Sequence, residues 1–335
     1  MRNAFIGAGA NARNSHAKTI TTHFPEHTIA GFCDLNPETA QAAVDEYGGK
    51  AFTDYREMLA NLDCDGVVIS VPHCLHRDTA VATFEARKHL LLEKPMACTV
   101  AECDDIIAAQ QASGCVLMIG YTHHFNPSAL EAREVIASGR LGKLVMGMDV
   151  MDYSYFADNR PGWYKQRALA GGGCMMNNGS HALGRIMFMT GEDIVAVYAH
   201  MGNARPDRKD IDVELHTQAL VYLSGGAAIS LWQEAYAHRA RGFNEYVGTD
   251  AALEVPTWGG PLKLHRAGQA EDIDISKWPS AWIAEYGEFF SAVAENRESS
   301  ITGYWGRRVI EVAMSMYQSF ETGKLVELPA ARRPE

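Results

Sequence analysis

The chain has 335 residues, of which 47% are hydrophobic and 21% charged, a composition typical of a soluble globular protein. This length is enough for two domains, each with its own hydrophobic core. The 41 acidic residues outnumber the 30 basic ones and give a formal net charge of −11. Because such a surface repels phosphate groups, binding to nucleic acid is not expected.

The N-terminus and the cysteines favour a cytoplasmic protein. MRNAFIGAGA lacks the apolar region and cleavage site of a secretory signal, and no apolar run approaches the roughly 20 residues that span a bilayer. The cysteines are odd in number and scattered, which indicates reduced thiols rather than a disulfide framework. They are Cys33, Cys64, Cys74, Cys98, Cys103, Cys115 and Cys174.

Short apolar runs alternate with helical stretches over residues 1–120. Helices are predicted over 37–47, 76–87 and 99–111. The predicted strands are Asn3–Ile6, Thr28–Cys33, Gly66–Val71, His89–Leu92 and Val116–Ile119. This alternation predicts an α/β domain in which helices cover both faces of a doubly wound parallel sheet.

The pattern changes after about residue 121. Helices are predicted over 126–138, 280–296 and 303–322. The predicted strands between them are Lys143–Tyr153, Val195–Met201, Val213–Leu223, Ala227–Glu234 and Phe243–Gly248. Strands that follow one another without helices predict a mostly antiparallel sheet, so residues 121–335 are predicted to form a second domain.

A dinucleotide-binding fingerprint lies at the first predicted strand–helix junction. Gly7, Gly9 and Ala12 form the pattern GxGxxA. The first glycine permits a tight turn, the second lets the backbone approach a pyrophosphate, and the small third residue lets the helix pack. The N-terminus of that helix offers N–H groups and a positive dipole end to the phosphates.

Asp34 ends the second predicted strand, about 20 residues beyond the fingerprint, where an acid accepts hydrogen bonds from the ribose hydroxyls. Its charge would repel a 2′-phosphate, so we predict NAD rather than NADP. The alternative is that Asp34 caps the helix that begins near Pro37.

Lys94 lies in the sequence Glu93-Lys94-Pro95, directly after an apolar strand. Ligands of a doubly wound sheet bind beyond the carboxyl ends of the strands, and proline restricts the backbone as it leaves the strand. A partly desolvated lysine there can lose its proton more readily or donate a hydrogen bond to a substrate oxygen. The alternative is an ordinary solvated lysine in a turn.

The segment GGGCMMNNGSH at 171–181 opens a predicted helix over 174–190. Asn177 and His181, four residues apart, share one face of that helix. A histidine beside an apolar stripe is usually a packing residue, but the three glycines suit a close approach of the chain to a ligand, so a catalytic His181 is the alternative. The apolar stripe of the helix is Met176, Leu183, Ile186 and Met187.

Aromatic side chains precede this segment in MDYSYFADNRPGWYK. Tyr153, Tyr155, Trp163 and Tyr164 could form a wall for a sugar ring, since aromatic faces pack on C–H surfaces, or they could be core residues. A metal site is not expected, because the spacing of His73, Cys74 and His76 fits no standard zinc pattern.

Together these features resemble the Gfo/Idh/MocA family of NAD(P)-dependent oxidoreductases over nearly the whole chain. The resemblance implies an N-terminal Rossmann domain over 1–120 and a C-terminal α/β domain with an open, mostly antiparallel sheet over 121–335, for substrate binding and oligomerisation. It also implies hydride transfer between nicotinamide and a hydroxyl-bearing carbon of a sugar, cyclitol or related polyol, in a homodimer or homotetramer. The motifs are GAGANA (7–12), Asp34, SVPHCLH (70–76), EKP (93–95), GYTHHFNP (120–127), GRLGKL (139–144), Trp163 with GGGCMMNNGSH, and SFETGKLVELP (319–329).

The resemblance also assigns roles to residues. Lys94 matches the catalytic lysine and His181 the catalytic histidine, with Asn177 beside it. The expected cofactor residues are Gly7, Gly9, Ala10, Asn11, Ala12, Asp34, Ser70, Pro72, His73, His76, Glu93 and Lys94. The expected substrate residues are Lys94, Tyr121, His123, Tyr153, Trp163, Asn177 and His181.

The chain departs from the family pattern at several positions. Asn177 stands where an aspartate is usual, and Gly184 where a second aspartate often follows. Thr122 and His123 replace an asparagine and an arginine. His16 lies one residue later than usual after the glycine turn.

These departures shape the expected mechanism. The substrate hydroxyl is expected between Lys94 and His181, one of which removes its proton as hydride leaves for NAD. Asn177 cannot act as a base or add negative charge, but it can orient His181 or bind a substrate hydroxyl. We therefore expect Lys94 to be the essential group and His181 a neutral base or hydrogen-bond partner. Two alternatives are an NAD-dependent glycosidase that works by transient oxidation and a non-catalytic NAD-binding sensor.

Overall fold

The computed structural model describes residues 1–155, 160–203, 205 and 207–331, without the side chains of 237–239. Contacts divide the chain into two units, Met1–Tyr121 with Trp282–Arg307 and Thr122–Ala281 with Arg308–Glu335. The sequence analysis assigned all of residues 121–335 to the second domain, whereas residues 282–307 pack within the first unit. Two buried aromatic residues of that segment, Tyr286 and Phe289, explain this placement because they have no exposed surface.

The first unit contains six parallel strands in the order β3-β2-β1-β4-β5-β6. The predicted doubly wound sheet is confirmed, and the strand order reverses between β1 and β4, where such sheets bind ligands. The elements are β1 (Arg2–Ile6), α1 (Lys18–His23), β2 (Thr28–Cys33), α2 (Pro37–Tyr47), β3 (Lys50–Phe52), α3 (Tyr55–Asn61), β4 (Gly66–Ile69), α4 (His76–Glu85), β5 (His89–Glu93), α5 (Val100–Ser113) and β6 (Leu117–Gly120). A π-helix (Ala12–Ala17) precedes α1, and a 3₁₀ turn (His73–Leu75) precedes α4.

Local sequence explains the ends of these helices. Asn36 caps α2 by accepting a hydrogen bond from the Glu38 N–H, and Pro37 occupies the first turn. Thr99 and Glu102 form a capping box at the start of α5, which ends at Gly114 in the left-handed conformation, φ +67°. Between the helices, the central strands β4 and β5 are buried, as expected of a sheet covered on both faces.

The second unit is built on a nine-stranded sheet with the order β14-β13-β12-β11-β7-β10-β9-β8-β15. Only the β7–β10 pair among these described strands is parallel, which confirms the mostly antiparallel prediction. After β6 the elements are α6 (Pro127–Ala137), β7 (Leu144–Ser154), α7 (Arg167–Ala170), α8 (Ser180–Thr190), β8 (Ile194–Gly202), β9 (His216–Leu223), β10 (Ala228–Glu234), β11 (Tyr236–Gly248), β12 (Ala252–Pro256), β13 (Leu262–Arg266), β14 (Gln269–Ile273), α9 (Ala281–Ala294), α10 (Gly303–Thr322) and β15 (Val326–Glu327). Short helical segments are the 3₁₀ turns Thr122–Phe125 and Gly162–Lys165 and the π-helix Met175–Gly179.

The sequence interpretation did not predict several short elements, namely β3, α3 and the strands β12–β14 at one end of the second unit's sheet. In β14 four of the five residues are exposed, so no apolar alternation marks it as a strand. In contrast, β9 and β10 alternate clearly between buried and exposed residues. One face of the second unit's sheet is thus buried, and the other carries Tyr198, Leu220 and Trp232, which are 38–47% exposed.

Candidate active site

The carboxyl ends of the parallel strands bring predicted cofactor residues and the predicted substrate residue Tyr121 to one edge of the first unit's sheet. Gly7 follows β1, Asp34 follows β2, Ser70 follows β4, Lys94 follows β5 and Tyr121 follows β6. This is the edge at which doubly wound sheets bind nucleotides. Tyr121 is fully buried there, whereas Lys94 is partly exposed.

The glycine turn fits a dinucleotide. Gly7 has φ +92°, and a Cβ there would lie 2.2 Å from the Ser70 carbonyl oxygen, so only glycine is accommodated. At Gly9 a Cβ would meet no heavy atom of the described residues within 4 Å. Together with the exposed Ala10 and Asn11, Gly9 leaves open space where a pyrophosphate can approach the backbone.

Asp34 is bound to the glycine turn itself. One carboxylate oxygen accepts a hydrogen bond from the Ala8 N–H at 3.0 Å, and the other accepts from the Asn36 N–H at 3.0 Å. The cap of α2 is Asn36 and not Asp34, so the alternative interpretation of this acid as a helix cap is wrong. Asp34 is only partly buried, which leaves its carboxylate available to ribose hydroxyls.

We expect Asp34→Asn to raise the NADP⁺/NAD⁺ ratio of kcat/KM by about tenfold or more. Asparagine keeps an oxygen for the Ala8 N–H but removes the charge that repels a 2′-phosphate, and a change of about 1.4 kcal/mol is tenfold. Steady-state kinetics with both cofactors measure this ratio. Asp45→Asn, an exposed acid of α2 that binds Gln41, is the matched control, and an unchanged ratio in Asp34→Asn would contradict the assignment.

A buried carboxylate connects the glycine turn to the segment of Lys94. Glu93 Oε1 accepts hydrogen bonds from His16 Nε2 at 2.9 Å and from the Asn11 side-chain amide at 3.0 Å, and Oε2 accepts from the Lys94 N–H at 3.0 Å. Burial by itself would raise the pKa of Glu93, but the hydrogen bond from His16 and the charges of His16 and Lys94 hold it below its ordinary value. Glu93 is therefore ionised, and its carboxylate links the glycine turn to the segment of Lys94.

His16 reaches Glu93 from the π-helix Ala12–Ala17. A π-helix holds more residues per turn than an α-helix, which accommodates the one-residue displacement of His16 noted in the sequence. The other ring nitrogen, Nδ1, lies 2.8 Å from the Tyr286 hydroxyl. Sequence reasoning missed Tyr286, because the contact joins residues 270 positions apart.

His76 joins two loops of the cofactor edge. Its ring nitrogens lie 2.9 Å from the Pro95 carbonyl oxygen and 3.1 Å from that of Val71. The side chain is fully buried, and burial lowers the pKa of His76. His73, next to Pro72, is also buried, with its ring 5.6 Å from that of His76. His76 thus holds the segment after β4 against the segment of Lys94.

The structure corrects the interpretation of the three glycines at 171–173. A Cβ at Gly172 would lie 2.0 Å from the Tyr317 hydroxyl, and one at Gly173 would lie 1.9 Å from the Glu214 carbonyl oxygen. Gly171 ends α7 in the left-handed conformation, φ +76°. The close approach that Gly172 and Gly173 permit is to the chain's own Tyr317 and Glu214.

Glu214 is a buried acid beside the helix of Asn177 and His181 that sequence reasoning missed. Its carboxylate accepts hydrogen bonds from the N–H groups of Gly173 at 2.9 Å and Met175 at 3.0 Å and from the Tyr317 hydroxyl at 2.8 Å. Burial raises the pKa of Glu214, and these hydrogen bonds oppose the rise. The only signal in the sequence is an acid within the mostly apolar run 213–221. Glu214 anchors the start of the helix that carries Asn177 and His181.

The helix predicted over 174–190 is present as the π-helix Met175–Gly179 followed by α8. Its predicted apolar stripe is buried, and Asn177 and His181 are also buried, at 3% and 7% exposure. The ring of His181 stacks on that of His123, with centroids 4.0 Å apart and planes 15° from parallel. The structure thus brings two predicted substrate residues, His123 and His181, into contact.

The sequence left two interpretations of Tyr153, Tyr155, Trp163 and Tyr164 open, a wall for a sugar ring or core residues. The structure favours a different one for different residues. Tyr155 is 4% exposed and packs in a core cluster with Cys174, Val213 and Leu215. Tyr153 packs on that cluster with part of its surface exposed. Trp163, also partly exposed, stacks on Tyr164 with ring centroids 3.6 Å apart. Of the four predicted aromatic residues, all of them described, Tyr153, Trp163 and Tyr164 are partly exposed and Tyr155 is buried.

Other site classes receive no support from the described part of the chain. Within it, no group of three or more His, Cys, Asp or Glu residues could hold a metal ion. The seven cysteines, all of them described, are free thiols. The helices of the same residues include none that is both long and apolar enough to cross a membrane.

The parallel sheet, its glycine turn and the acid after β2 define a dinucleotide-binding fold, and the chain has a second, mostly antiparallel domain. Family models match both parts: the oxidoreductase family NAD-binding Rossmann fold over residues 1–121 and the GFO/IDH/MocA C-terminal domain over residues 129–254. The chain belongs to the Gfo/Idh/MocA family and is an NAD-binding oxidoreductase.

Individual relatives match over nearly their whole length. Inositol 2-dehydrogenase of Salmonella paratyphi B is 24% identical, with 98% of each chain covered. The 1,5-anhydro-D-fructose reductase of Ensifer adhaerens is 25% identical, with 96% of this chain and 97% of the relative covered. The structure of aldose-aldose oxidoreductase from Caulobacter crescentus complexed with glycerol is 25% identical, with a TM-score of 0.88 and 98% and 99% of the two chains covered. Levoglucosan dehydrogenase in complex with NADH and L-sorbose shares the fold at 22% identity, with a TM-score of 0.88 and the same coverage.

Proposed function

We propose that this protein transfers a hydride between NAD and a hydroxyl-bearing carbon of a sugar, cyclitol or related polyol. The observation that carries the proposal is the position of Lys94, directly after β5 at the same sheet edge as Gly9 and Asp34. Its backbone N–H binds the buried Glu93 carboxylate, so this lysine is held at the cofactor edge. The names of the relatives, which include an inositol dehydrogenase and an anhydrofructose reductase, support the substrate class.

In this proposal, the side chains of Lys94 and His181 handle the proton of the substrate hydroxyl. Bound NAD supplies the hydride acceptor. As a neutral amine, Lys94 takes the single proton of the substrate hydroxyl, and the resulting ammonium donates a hydrogen bond to the carbonyl oxygen that forms. His181 serves as a neutral hydrogen-bond partner of that oxygen, or as the base in place of Lys94. Asn177 binds a substrate hydroxyl or orients His181, because an amide cannot take a proton at neutral pH. Reduction follows the same steps backwards.

The remaining substrate and cofactor assignments follow from exposure and charge. Tyr153 and Trp163 keep exposed aromatic surface and are proposed as a wall for the sugar ring. Asp34 is proposed to select NAD over NADP. Tyr121 is fully buried, so we propose that it influences the substrate only indirectly, by packing beneath the residues that contact it.

We also propose a cytoplasmic homodimer or homotetramer. The seven free thiols support a reducing compartment. The exposed apolar side chains Tyr198, Leu220 and Trp232 lie on one face of the second unit's sheet, and such a patch favours association between copies.

The test is to incubate the protein with NAD⁺ and a panel that includes myo-inositol, levoglucosan, glucose and 1,5-anhydroglucitol, and to follow the absorbance of reduced nicotinamide. We expect net NAD⁺ reduction with at least one of these polyols and much slower reduction of NADP⁺. Cleavage of a nitrophenyl glycoside without net reduction would support the transient-oxidation glycosidase instead. Tight NAD binding without either reaction would support the sensor. The dehydrogenase and reductase names of the relatives favour the first outcome.

A further inference from the structure

His181 stacks on a histidine that belongs to a buried polar array. The rings of His123 and His181 are 4.0 Å apart and almost parallel, at 15°. His123 lies in the 3₁₀ turn Thr122–Phe125, and His181 lies in the first turn of α8. Rings in such contact restrict one another's orientation, because tilting either ring drives its atoms into the other.

Arg185, one helical turn after His181, determines the state of His123. Arg185 Nη1 lies 2.8 Å from His123 Nδ1. A guanidinium has only donors, so Nδ1 accepts this hydrogen bond and carries no proton. His123 is therefore a neutral ring with its proton on Nε2, and it stacks on His181 in that form.

The guanidinium is itself fixed by groups on the sheet of the second unit. Arg185 Nη2 and Nε donate to Asp149 Oδ2 at 2.5 and 3.2 Å, and Nε also lies 3.1 Å from Asn244 Oδ1. Gln233 Nε2 lies 3.4 Å from the other oxygen of Asp149. Arg185 and Asp149 are 1% and 0% exposed. A buried pair with these partners is rigid, since breaking it would leave an uncompensated charge.

We propose that His123 is a positioning residue that holds the ring of His181 in its working orientation, and that Asp149 and Arg185 fix His123 for this task. The proposal rests on the proposed catalytic role of His181. Asn177 and Gly184, which flank His181 in the helix, offer no carboxylate to orient its ring. The stacked neutral ring of His123 performs that orientation, so His123 acts through His181 rather than on the substrate.

The first test distinguishes the effect of the His123 ring on kcat from the effect of its hydrogen bond with Arg185. His123→Asn keeps an acceptor for Arg185 but removes the ring, and we expect kcat with NAD⁺ and myo-inositol, or the fastest polyol of the panel, to fall by about tenfold or more. The KM for NAD⁺ and the melting temperature should stay close to those of the wild type. His123→Phe keeps a ring but loses the acceptor for Arg185, so its kcat should lie between those of His123→Asn and the wild type, and its melting temperature should fall. His23→Asn, at an exposed position of α1, is the control and should match the wild type.

The second test is a double-mutant cycle with His181→Ala. We expect His123→Asn to have no further effect on kcat in that background. An equal effect in both backgrounds, or a raised KM for the polyol alone, would show that His123 contacts substrate and would overturn the proposal. A wild-type kcat in His123→Asn beside an impaired His181→Ala also overturns it. A wild-type kcat in His181→Ala instead refutes the catalytic role assigned to His181.

A third measurement does not depend on turnover. Nitrogen NMR of the protein labelled at its histidines, with His123→Asn to assign the resonance, reports which ring nitrogen carries the proton. We expect His123 to be protonated at Nε2 and not at Nδ1 at pH 7.5. A protonated Nδ1 would be incompatible with the hydrogen bond from Arg185 and would overturn the array.

Discussion

Lys94→Ala is expected to lower kcat with NAD⁺ and polyol by about 10²- to 10⁴-fold, the range for loss of a positioned acid–base group. The lysine follows β5 at the sheet edge that carries Gly9 and Asp34. Its backbone N–H donates a hydrogen bond to the Glu93 carboxylate. Alanine keeps that N–H, so the cofactor edge should remain folded and NAD⁺ should bind within a few-fold of its wild-type affinity.

The matched control lies at the other end of the same strand. Lys88 immediately precedes β5, and its Nζ donates to the Cys64 carbonyl oxygen at 2.8 Å. Since ligands bind beyond the carboxyl ends of the strands, Lys88→Ala should leave kcat unchanged. Steady-state rates and calorimetric titration with NAD⁺ measure both quantities. If Lys94→Ala turned over at the wild-type rate, Lys94 would not be the essential proton-transfer group.

Gly173→Ala is expected to lower both the melting temperature and kcat. Its Cβ would lie 1.9 Å from the Glu214 carbonyl oxygen, and a backbone atom cannot move aside by changing rotamer. Overpacking of this kind costs about 1–3 kcal/mol. The displacement would also disturb the hydrogen bonds from Gly173 and Met175 to the Glu214 carboxylate, and with them the start of the helix that carries His181.

The same substitution in a different setting provides the control. Gly287 lies within α9, and a Cβ there would meet no heavy atom of the described residues within 4 Å. Because alanine is favoured over glycine in a helix by about 1 kcal/mol, Gly287→Ala should maintain or raise the melting temperature. Thermal unfolding followed by circular dichroism compares the two variants. Equal melting temperatures for Gly173→Ala and the wild type would show that the loop adapts and that Glu214 does not anchor it.

The sequence predicted features that depend on neighbouring residues. The parallel sheet, the glycine turn and the positions of Asp34 and Lys94 follow from apolar runs and the residues that end them, because a strand and its next loop are consecutive in the chain. Exposed edge strands such as β14 have no such pattern. They form because a neighbouring strand supplies hydrogen-bond partners.

The sequence could not reveal which distant groups meet. Glu214 contacts Gly173 across 41 positions, and Arg185 contacts His123 across 62. In both cases a buried polar group needs a partner that the sheet brings to it, and no local periodicity records that pairing.

By itself, the sequence determined the α/β class and the cofactor edge, since these depend on local backbone preferences and apolar periodicity, and its resemblance to the family indicated the candidate lysine and histidine. Only the tertiary structure decided what surrounds them. It showed that Gly172 and Gly173 make room for Tyr317 and Glu214, and that His181 stacks on a neutral His123 held by Arg185. The physical reason is that burial forces polar groups to pair, and the fold determines which partners are near enough.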